Sequence, residues 1–442
     1  MIMISTWKRR RAARRAAKEL LGGEGSEMEL TTPNHFRCPI SLDLMKDPVT
    51  LSTGITYDRE NIEKWIETGN VTCPITNQVL TSLEAIPNHT IRKMIQDWCV
   101  ENRSHGIERI PTPRIPVSSM EVSEILSKIT MASKKEDQVK CRDLVMKIKT
   151  LVKESERNKR CIAGNGTGSV LSAAFEGFSK TCFEENVPIL EEILSALTLV
   201  FPLDGEAVSH LGSSSSLHCI VWFLKSGDLS RRRNAVFVLK QIVSSEQRKV
   251  NVLLEIEGVM EALFKLIQEP ICPTSTKASL IVIHHMVTFS TTNEKIVSKL
   301  VDSGLVSVLL EILLDAQRSL CEKALCVLDG ILSFENGREE AYNHALTVPV
   351  IVKKILRISD MATEASVSIL WKLCMNEKRE EKFALAETLQ VGAFQKLLLL
   401  LQLGCGEKTK EKVTELLKLL NLYRDRLECI DSMDFKDLKR PF

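Results

Sequence analysis

The residues between positions 34 and 103 that could do chemistry are three thiols and two imidazoles. They are Cys38, Cys73, Cys99, His35 and His89. Thiolates and imidazoles are the ligands that Zn²⁺ prefers, but two tetrahedral zinc sites need eight of them. This stretch contains five such side chains and no Cys-x-x-Cys pair, so the ligand count excludes two zinc sites. We expect no metal and no other cofactor.

A cysteine can also carry an acyl group as a thioester when a neighbouring base activates its thiol. No base is assigned by the sequence to Cys38 or Cys73, and free cysteines are most often small buried apolar residues. We therefore expect both thiols to pack inside the fold. The pair His284–His285 lacks acidic or cysteine partners at metal spacing, and we expect one packed and one exposed helical residue.

Short elements must position these residues. β-branched residues on both sides of Gly54 predict a β-hairpin with its turn at that glycine. Asp58 stands where it can cap a following helix, which carries Trp65 on its apolar face and ends at Gly69.

A second loop is predicted around Cys73, and a second helix after Asn88. The apolar residues of that helix recur at three- and four-residue steps, which puts them on one face. The inward stripe predicted for it consists of Ile91, Met94, Ile95 and Trp98.

The order of these motifs resembles a U-box over residues 34 to 103. The matching segments are Cys38-Pro39-Ile40, Met45 with Asp47-Pro48-Val49, Gly54 with Tyr57-Asp58-Arg59, Ile62 to Trp65, Cys73-Pro74-Ile75-Thr76, and Ile86-Pro87-Asn88 followed by Ile91. A U-box has the layout of a zinc-binding RING domain without the metal. The resemblance implies that two loops and the helix between them bind a ubiquitin-charged E2 enzyme, and that the module does no covalent chemistry itself.

The resemblance also assigns residues. The E2 contacts implied for this chain are Ile40, Trp65, Pro74 and Ile75, with plain core packing as the alternative for Trp65. Many related proteins have a cation just after the second loop that helps to hold the ubiquitin thioester in a closed state. Asn77 stands there and can donate only a neutral hydrogen bond. Polar contacts replace the metals in U-boxes, and the candidates here are Ser41, Asp43, Asp47, Arg59, Glu60 and Asn88.

The rest of the chain repeats itself. Four segments align without gaps and start 44 to 46 residues apart, at Gly258, Gly304, Val348 and Gly392. This period is expected of armadillo or HEAT units. A second helical pattern follows each start at a nearly constant offset, so we predict two-helix units that share one core. Weaker copies begin at Gly212 and Gly168.

The predicted fold is therefore mainly α, with a small α+β, RING-like and metal-free U-box followed by an armadillo- or HEAT-type α-solenoid. Ser119 is the predicted cap of the first helix after the linker. The predicted boundaries are a basic N-terminal segment at 1–30, the U-box at 31–106, a proline-rich linker at 107–117, a helical lead-in at 118–160, the repeats at 161–428 and a tail at 429–442.

Composition limits the function classes. The formal net charge of +2 gives no global field for nucleic acid, and no run of about 18 uncharged apolar residues predicts a membrane span. Thirteen scattered cysteines are typical of reduced thiols. We expect a cytoplasmic protein, with the nucleus or the periphery of the plasma membrane as alternatives. The basic cluster from Lys8 to Lys18 is a nuclear address, a lipid or RNA contact, or a solvated tail.

Together the two halves resemble plant U-box proteins with C-terminal armadillo repeats. This implies an E3 ubiquitin-protein ligase that recruits a ubiquitin-charged E2 and promotes transfer to a lysine of a protein substrate on the repeats. No covalent ubiquitin intermediate forms on the ligase itself. Stress or defence signalling is common in the family. Homodimer formation stays open, nucleic acid is not an expected partner, and the alternative is a non-catalytic armadillo scaffold that uses the U-box for docking or dimerisation.

Overall fold

The computed structural model describes residues 32–110, 116–181, 183–289, 293–378 and 383–424. The predicted basic N-terminal segment, residues 111–115 of the proline-rich linker and the C-terminal tail lie outside these residues. The chain divides into two compact units between residues 115 and 116.

The first unit is a small three-stranded sheet with two helices. Strand β1 lies in the middle and pairs antiparallel with β2 and β3, with Val49 opposite both Tyr57 and Pro87. Gly54, in the turn between β1 and β2, has a φ of +78°, as the predicted hairpin requires. The elements are β1 (Pro48–Thr50), β2 (Thr56–Asp58), α1 (Arg59–Glu67), β3 (Ile86–Pro87) and α2 (His89–Glu101).

Two of the predicted details in this unit are wrong. Asp58 does not cap α1, because its carboxylate accepts hydrogen bonds from the main-chain N–H groups of Lys46 and Asp47 instead. Met94 is 46% exposed, since the inward face of α2 passes through Ile95 and Cys99. Asn88 caps this helix by accepting a hydrogen bond from the Ile91 N–H group at 3.0 Å.

The second unit consists of helices. Ser118, and not Ser119 as predicted, caps the first of them by accepting a hydrogen bond from the Glu121 N–H group. The helices are α3 (Ser119–Lys134), α4 (Gln138–Glu154), α5 (Glu156–Gly164), α6 (Thr167–Lys180), α7 (Phe183–Leu197), α8 (Gly205–Leu211), α9 (Ser214–Ser226), α10 (Leu229–Ser245), α11 (Lys249–Leu254), α12 (Val259–Gln268), α13 (Pro273–Phe289), α14 (Asn293–Asp302), α15 (Leu305–Asp315), α16 (Arg318–Ile331), α17 (Glu335–Asn343), α18 (Thr347–Lys354), α19 (Asp360–Asn376), α20 (Phe383–Gln390), α21 (Ala393–Leu403) and α22 (Glu407–Arg424).

The last four repeats have three helices each, which corrects the predicted two. A short helix (α11, α14, α17 or α20) precedes the two that the sequence pattern showed. Gly258, Gly304 and Gly392 join the short helix to the next one at φ values near +80°, where a side chain would be strained. In the first weak copy this role falls to Gly166, because Gly168 lies within α6.

The longest helices of successive repeats pack side by side. α10 packs on α13, α13 on α16, α16 on α19 and α19 on α22, and α4 and α7 continue the series towards the N-terminus. We call α4, α7, α10, α13, α16, α19 and α22 the long-helix row. One continuous apolar core runs through the unit, from Val117 to Leu420, as a repeat array requires.

None of the helices within the described ranges is by itself long and apolar enough to cross a membrane. One pair, α20 with α21, meets the length and composition only when its two bent members are taken together.

Candidate functional site

Two loops of the first unit have the same backbone geometry. In the first, the Cys38 N–H group donates to the Asp43 carbonyl at 2.9 Å, and the Leu42 N–H group donates back to the Cys38 carbonyl at 2.7 Å. The second loop repeats both bonds, from Cys73 to Gln78 and from Asn77 to Cys73, each at 2.9 Å. An isolated bridge closes each loop, Arg37 with Leu44 and Thr72 with Val79.

The fifth residue of each loop has a left-handed backbone. Leu42 has a φ of 63° and Asn77 a φ of 57°. Asparagine tolerates this conformation, whereas leucine is disfavoured in it by contact between Cβ and the following carbonyl. The backbone therefore accounts for Asn77, and Leu42 is the residue that needs a further reason.

The two loop thiols are hydrogen-bond acceptors inside the fold. Cys38 Sγ accepts from the Asp58 N–H group at 3.3 Å, and Cys73 Sγ lies 3.0 Å from the Tyr57 hydroxyl. Both side chains are buried, as the sequence predicts. Within the described part of the chain, no three His, Cys, Asp or Glu side chains are grouped in a way that could hold a metal ion.

Cys73 lies in an unusual electrostatic environment. Burial acts to raise the pKa of its thiol, but hydrogen bonds from Thr53, Thr76 and Tyr57 outweigh burial and lower it to about 6. Burial and the bond to Cys73 both raise the pKa of the Tyr57 hydroxyl, so the tyrosine keeps its proton and donates it. This network holds the second loop against β2.

Polar contacts hold the remaining parts of the unit together. Arg59 Nε donates to Asp47 Oδ2 at 2.7 Å, and Asn88 Nδ2 reaches the hydroxyls of Thr50 and Thr56 at 3.1 and 3.3 Å. Ser41 Oγ accepts from Asn61 Nδ2 at 3.2 Å, which ties the first loop to α1.

Two of the predicted structural contacts do not join this network. The Asp43 side chain is exposed, and its residue contributes through main-chain atoms. Glu60 is exposed and pairs with Lys64 one helical turn away, on the outer side of α1. Tyr57, Asp58 and Asn61 also belong to the network, and their roles in it were not predicted from the sequence. Burial is the main cause that raises the pKa of Asp58, and two main-chain donors oppose it.

The side chains predicted to contact an E2 lie on three adjoining segments. Trp65 Nε1 donates to the Thr72 carbonyl at 2.8 Å, so α1 is tied to the second loop as well as to the first. Ile40, Trp65 and Pro74 are half-buried, and Ile75 is 54% exposed. Ile40 and Trp65 rest on the same apolar core with their remaining surface open to solvent.

Leu42 adds to this apolar surface and was not predicted. It follows Ile40 by two residues, is 38% exposed, and has the disfavoured backbone described above. The sequence did contain a sign of this role. The two loops read Cys-Pro-Ile-Ser-Leu and Cys-Pro-Ile-Thr-Asn, so the first has an apolar residue where the second has a polar one.

In the repeat unit, the histidine pair is only partly as predicted. Both His284 and His285 are half-buried, where one packed and one exposed ring were expected. The Nδ1 atom of each ring is buried without a hydrogen-bond partner, and burial lowers the pKa of both imidazoles.

Comparisons with known proteins agree with this geometry. A family model described as "U-box domain" matches residues 32–104, and one described as "Plant U-box protein ARM repeat region" matches residues 121–440. U-box domain-containing protein 21 of Arabidopsis thaliana is 49% identical over 94% of this chain and 94% of its own length. U-box domain-containing protein 20 is 45% identical over 99% and 100%, and E3 ubiquitin-protein ligase PUB23 is 35% identical over 90% and 95%, both from the same plant.

Among solved structures, an engineered protein from a structural genomics consortium matches with a TM-score of 0.50 at 15% identity. The match covers 69% of this chain and 71% of that protein, and it bears on the fold alone.

Proposed function

Because the chain belongs to the plant U-box proteins with an armadillo repeat region, we propose that its U-box recruits a ubiquitin-charged E2 through Ile40, Trp65, Pro74 and Ile75. The chain is an E3 ubiquitin-protein ligase, and its partners include an E2 and ubiquitin. The U-box and the repeat region are the two modules that this activity uses.

One observation supports the docking surface above all others. Two loops of identical hydrogen bonding are both tied to α1, by Asn61 to Ser41 and by Trp65 to Thr72. They carry partly exposed apolar side chains, including Ile75, on a preformed scaffold. Such a surface is costly in water unless a partner covers it, and rigid anchors bind with little loss of entropy.

The proposed mechanism is positioning. The E2 carries ubiquitin as a thioester, and a substrate lysine attacks its carbonyl carbon, so that an isopeptide bond forms and the E2 thiolate leaves. Docking holds the thioester in a closed arrangement, which lowers the entropic part of the barrier. Cys38 and Cys73 take no part in transfer, since both thiols are buried and accept hydrogen bonds within the fold.

Leu42 and Asn77 have different roles in this proposal. Leu42 keeps an apolar side chain at a strained position because that side chain extends the docking surface beside Ile40. Asn77 is exposed at the matching position of the second loop, and its amide can donate a neutral hydrogen bond to the docked complex. A neutral donor holds a closed state less strongly than a cation.

The substrate belongs on the repeats in this proposal, along the long-helix row, because arrays of this kind bind partners along their stacked helices. A cytoplasmic location and a role in stress or defence signalling stay predictions.

An autoubiquitination assay tests the proposal. The full chain is incubated with E1, ATP, ubiquitin and a panel of E2 enzymes, and ubiquitin chains are followed by blotting. We expect chain formation that Ile75→Ala reduces at least tenfold, the size of loss expected for an interface anchor. The matched control is Ile86→Ala, a similarly exposed isoleucine on β3 that the proposal leaves outside the docking surface.

A non-catalytic scaffold predicts a different result. The wild-type chain would then form no ubiquitin chains with any E2. Equal activity of Ile75→Ala and Ile86→Ala would refute the docking assignment while leaving the ligase activity intact.

A further inference from the structure

Opposite charges or hydrogen-bonding groups pair across most steps of the long-helix row. The pairs are Lys149 with Glu192 at 2.6 Å, Arg231 with Glu191 at 2.7 Å, Lys372 with Asp329 at 2.7 Å, Trp371 with Glu415 at 2.5 Å, and Lys412 with Ser368 at 2.7 Å. They link α4 to α7, α7 to α10, α16 to α19 and α19 to α22. These contacts give charged side chains a partner within the protein at four of the six steps of the row.

The step from α10 to α13 differs because it carries only positive charge. The sequence of α10 contains three consecutive arginines and Lys240, that of α13 contains Lys277, and neither helix contains an aspartate or a glutamate. Among the described residues, Arg231 is the one of these five cations with an ion-pair partner within 4 Å, and Lys277 is close enough to Glu322 of α16 to help lower the pKa of that carboxyl. The Nε atom of Arg232 is buried without a hydrogen-bond partner.

Helix geometry places part of this charge on one face. Arg233, Phe237 and Lys240 recur at steps of four and three residues along α10, as do Lys277, Ile281 and His284 along α13. Arg233 is exposed, and the other five are half-buried. We call these six residues the basic stretch.

The two helices that carry the basic stretch pack side by side. Partners across the steps between α16, α19 and α22 are 43 or 44 positions apart in the sequence. The same separation of 44 positions in the sequence relates Arg233 to Lys277 and Lys240 to His284. This offset places like charges, or a charge and a neutral ring, at matching positions, whereas the four steps named above bring opposite charges or hydrogen-bonding partners together.

We propose that the basic stretch binds a short acidic segment of the protein substrate. Carboxylates of that segment pair with Arg233 and Lys240 and add to the charge that Glu322 presents to Lys277, and an apolar side chain packs on Phe237 and Ile281. This inference rests on the proposed function, in which the repeats hold the substrate, and adds the chemical class of the segment that is recognised.

The neighbouring helices limit what can bind. The sequence of α7 contains four glutamates and no lysine or arginine, and α16 places Glu322 and Asp329 on the other side. A nucleic acid strand that crossed the row would bring its phosphates close to these carboxylates. An anionic ligand confined to α10 and α13 avoids that repulsion, and the apolar side chains between the cations favour a peptide.

The test is fluorescence anisotropy with the full chain and a labelled ten-residue peptide of alternating glutamate and leucine. The reference probe replaces each glutamate by lysine. The variant carries Arg233→Glu and Lys277→Glu. The matched control carries Lys265→Glu and Lys353→Glu, which reverse two exposed lysines on α12 and α18.

We expect the acidic peptide to bind and the lysine peptide not to bind. The Arg233→Glu, Lys277→Glu variant should raise the Kd of the acidic peptide by about tenfold or more, because two attractive ion contacts become repulsive. The control variant should change this Kd by no more than about twofold. Equal binding of the acidic peptide by both double variants would overturn the proposal. So would no binding by the wild type, or displacement of the peptide by an oligonucleotide of equal charge at lower concentration.

This measurement is separate from the test of ligase activity, because neither E2 nor ubiquitin enters it. Absent peptide binding with intact chain formation would refute the acidic segment alone, and absent chain formation with intact peptide binding would refute the proposed function.

Discussion

Replacing Leu42 by asparagine should have two opposite effects, one on the stability of the U-box and one on E2 docking. The matching geometry of the two loops allows the first effect to be estimated. Leu42 and Asn77 have the same left-handed backbone within the same hydrogen bonds. A leucine in this conformation costs about 1 kcal/mol more than a residue that tolerates it. The Leu42→Asn variant should therefore stabilise the U-box by about 1 kcal/mol, which is about fivefold in the unfolding equilibrium.

The same change should weaken E2 docking. The 38% of the Leu42 surface that is exposed can be covered by a partner, and full burial of a leucine is worth about 2 kcal/mol. Covering that fraction contributes roughly 0.8 kcal/mol, so E2 binding should weaken about fourfold.

Two measurements on the full chain check this prediction. Hydrogen exchange followed by mass spectrometry should show slower exchange of the U-box amides that open by global unfolding, and titration with E2 should show a higher Kd. The reverse substitution, Asn77→Leu, is the control and should destabilise the unit. Faster exchange in Leu42→Asn, or an unchanged Kd for E2, would refute the reasoning about this loop.

Two further predictions concern the polar network. Asn88→Ala removes the cap of α2 and the bonds to Thr50 and Thr56, so it should destabilise the U-box by roughly 3 kcal/mol. Asp43→Ala should destabilise it by less than about 0.5 kcal/mol. The same hydrogen-exchange experiment measures both. Cys73 has a pKa of about 6 in the fold against 9.0 for a free thiol, so the fold favours its thiolate. That stabilisation is complete above pH 9 and is lost as the pH falls through 6. As the pH rises from 6 to 9, the free energy of unfolding of the wild type should therefore increase relative to that of Cys73→Ala. An equal increase in both proteins would contradict the low pKa of Cys73.

Much of the fold was predictable from local sequence patterns. The hairpin at Gly54, the repeat period and the glycines at Gly258, Gly304 and Gly392 follow from backbone needs that single residues reveal. The short first helix of each repeat was missed, because six to ten residues are too few to show a sustained helical pattern. The periodicity fits both armadillo and HEAT units, and it was the family resemblance that favoured armadillo units.

The polar network shows where sequence reasoning ends. The role of Arg59 with Asp47 follows from opposite charges, but Tyr57, Asp58 and Asn61 act across 11 to 23 residues of chain, through bonds that only the folded backbone brings together. Asp58 shows the difficulty most clearly, since its position before α1 predicts a cap and the fold uses its carboxylate elsewhere.

The most direct test of a metal-free docking surface uses the full chain after treatment with a metal chelator. The measurement is the rate at which this chain discharges ubiquitin from a charged E2 to free lysine. We predict strong acceleration by the chelator-treated wild type and none by Ile40→Ala, because an apolar docking surface on a fold held by polar contacts needs no metal. Loss of acceleration after chelation, or full acceleration by Ile40→Ala, would contradict it.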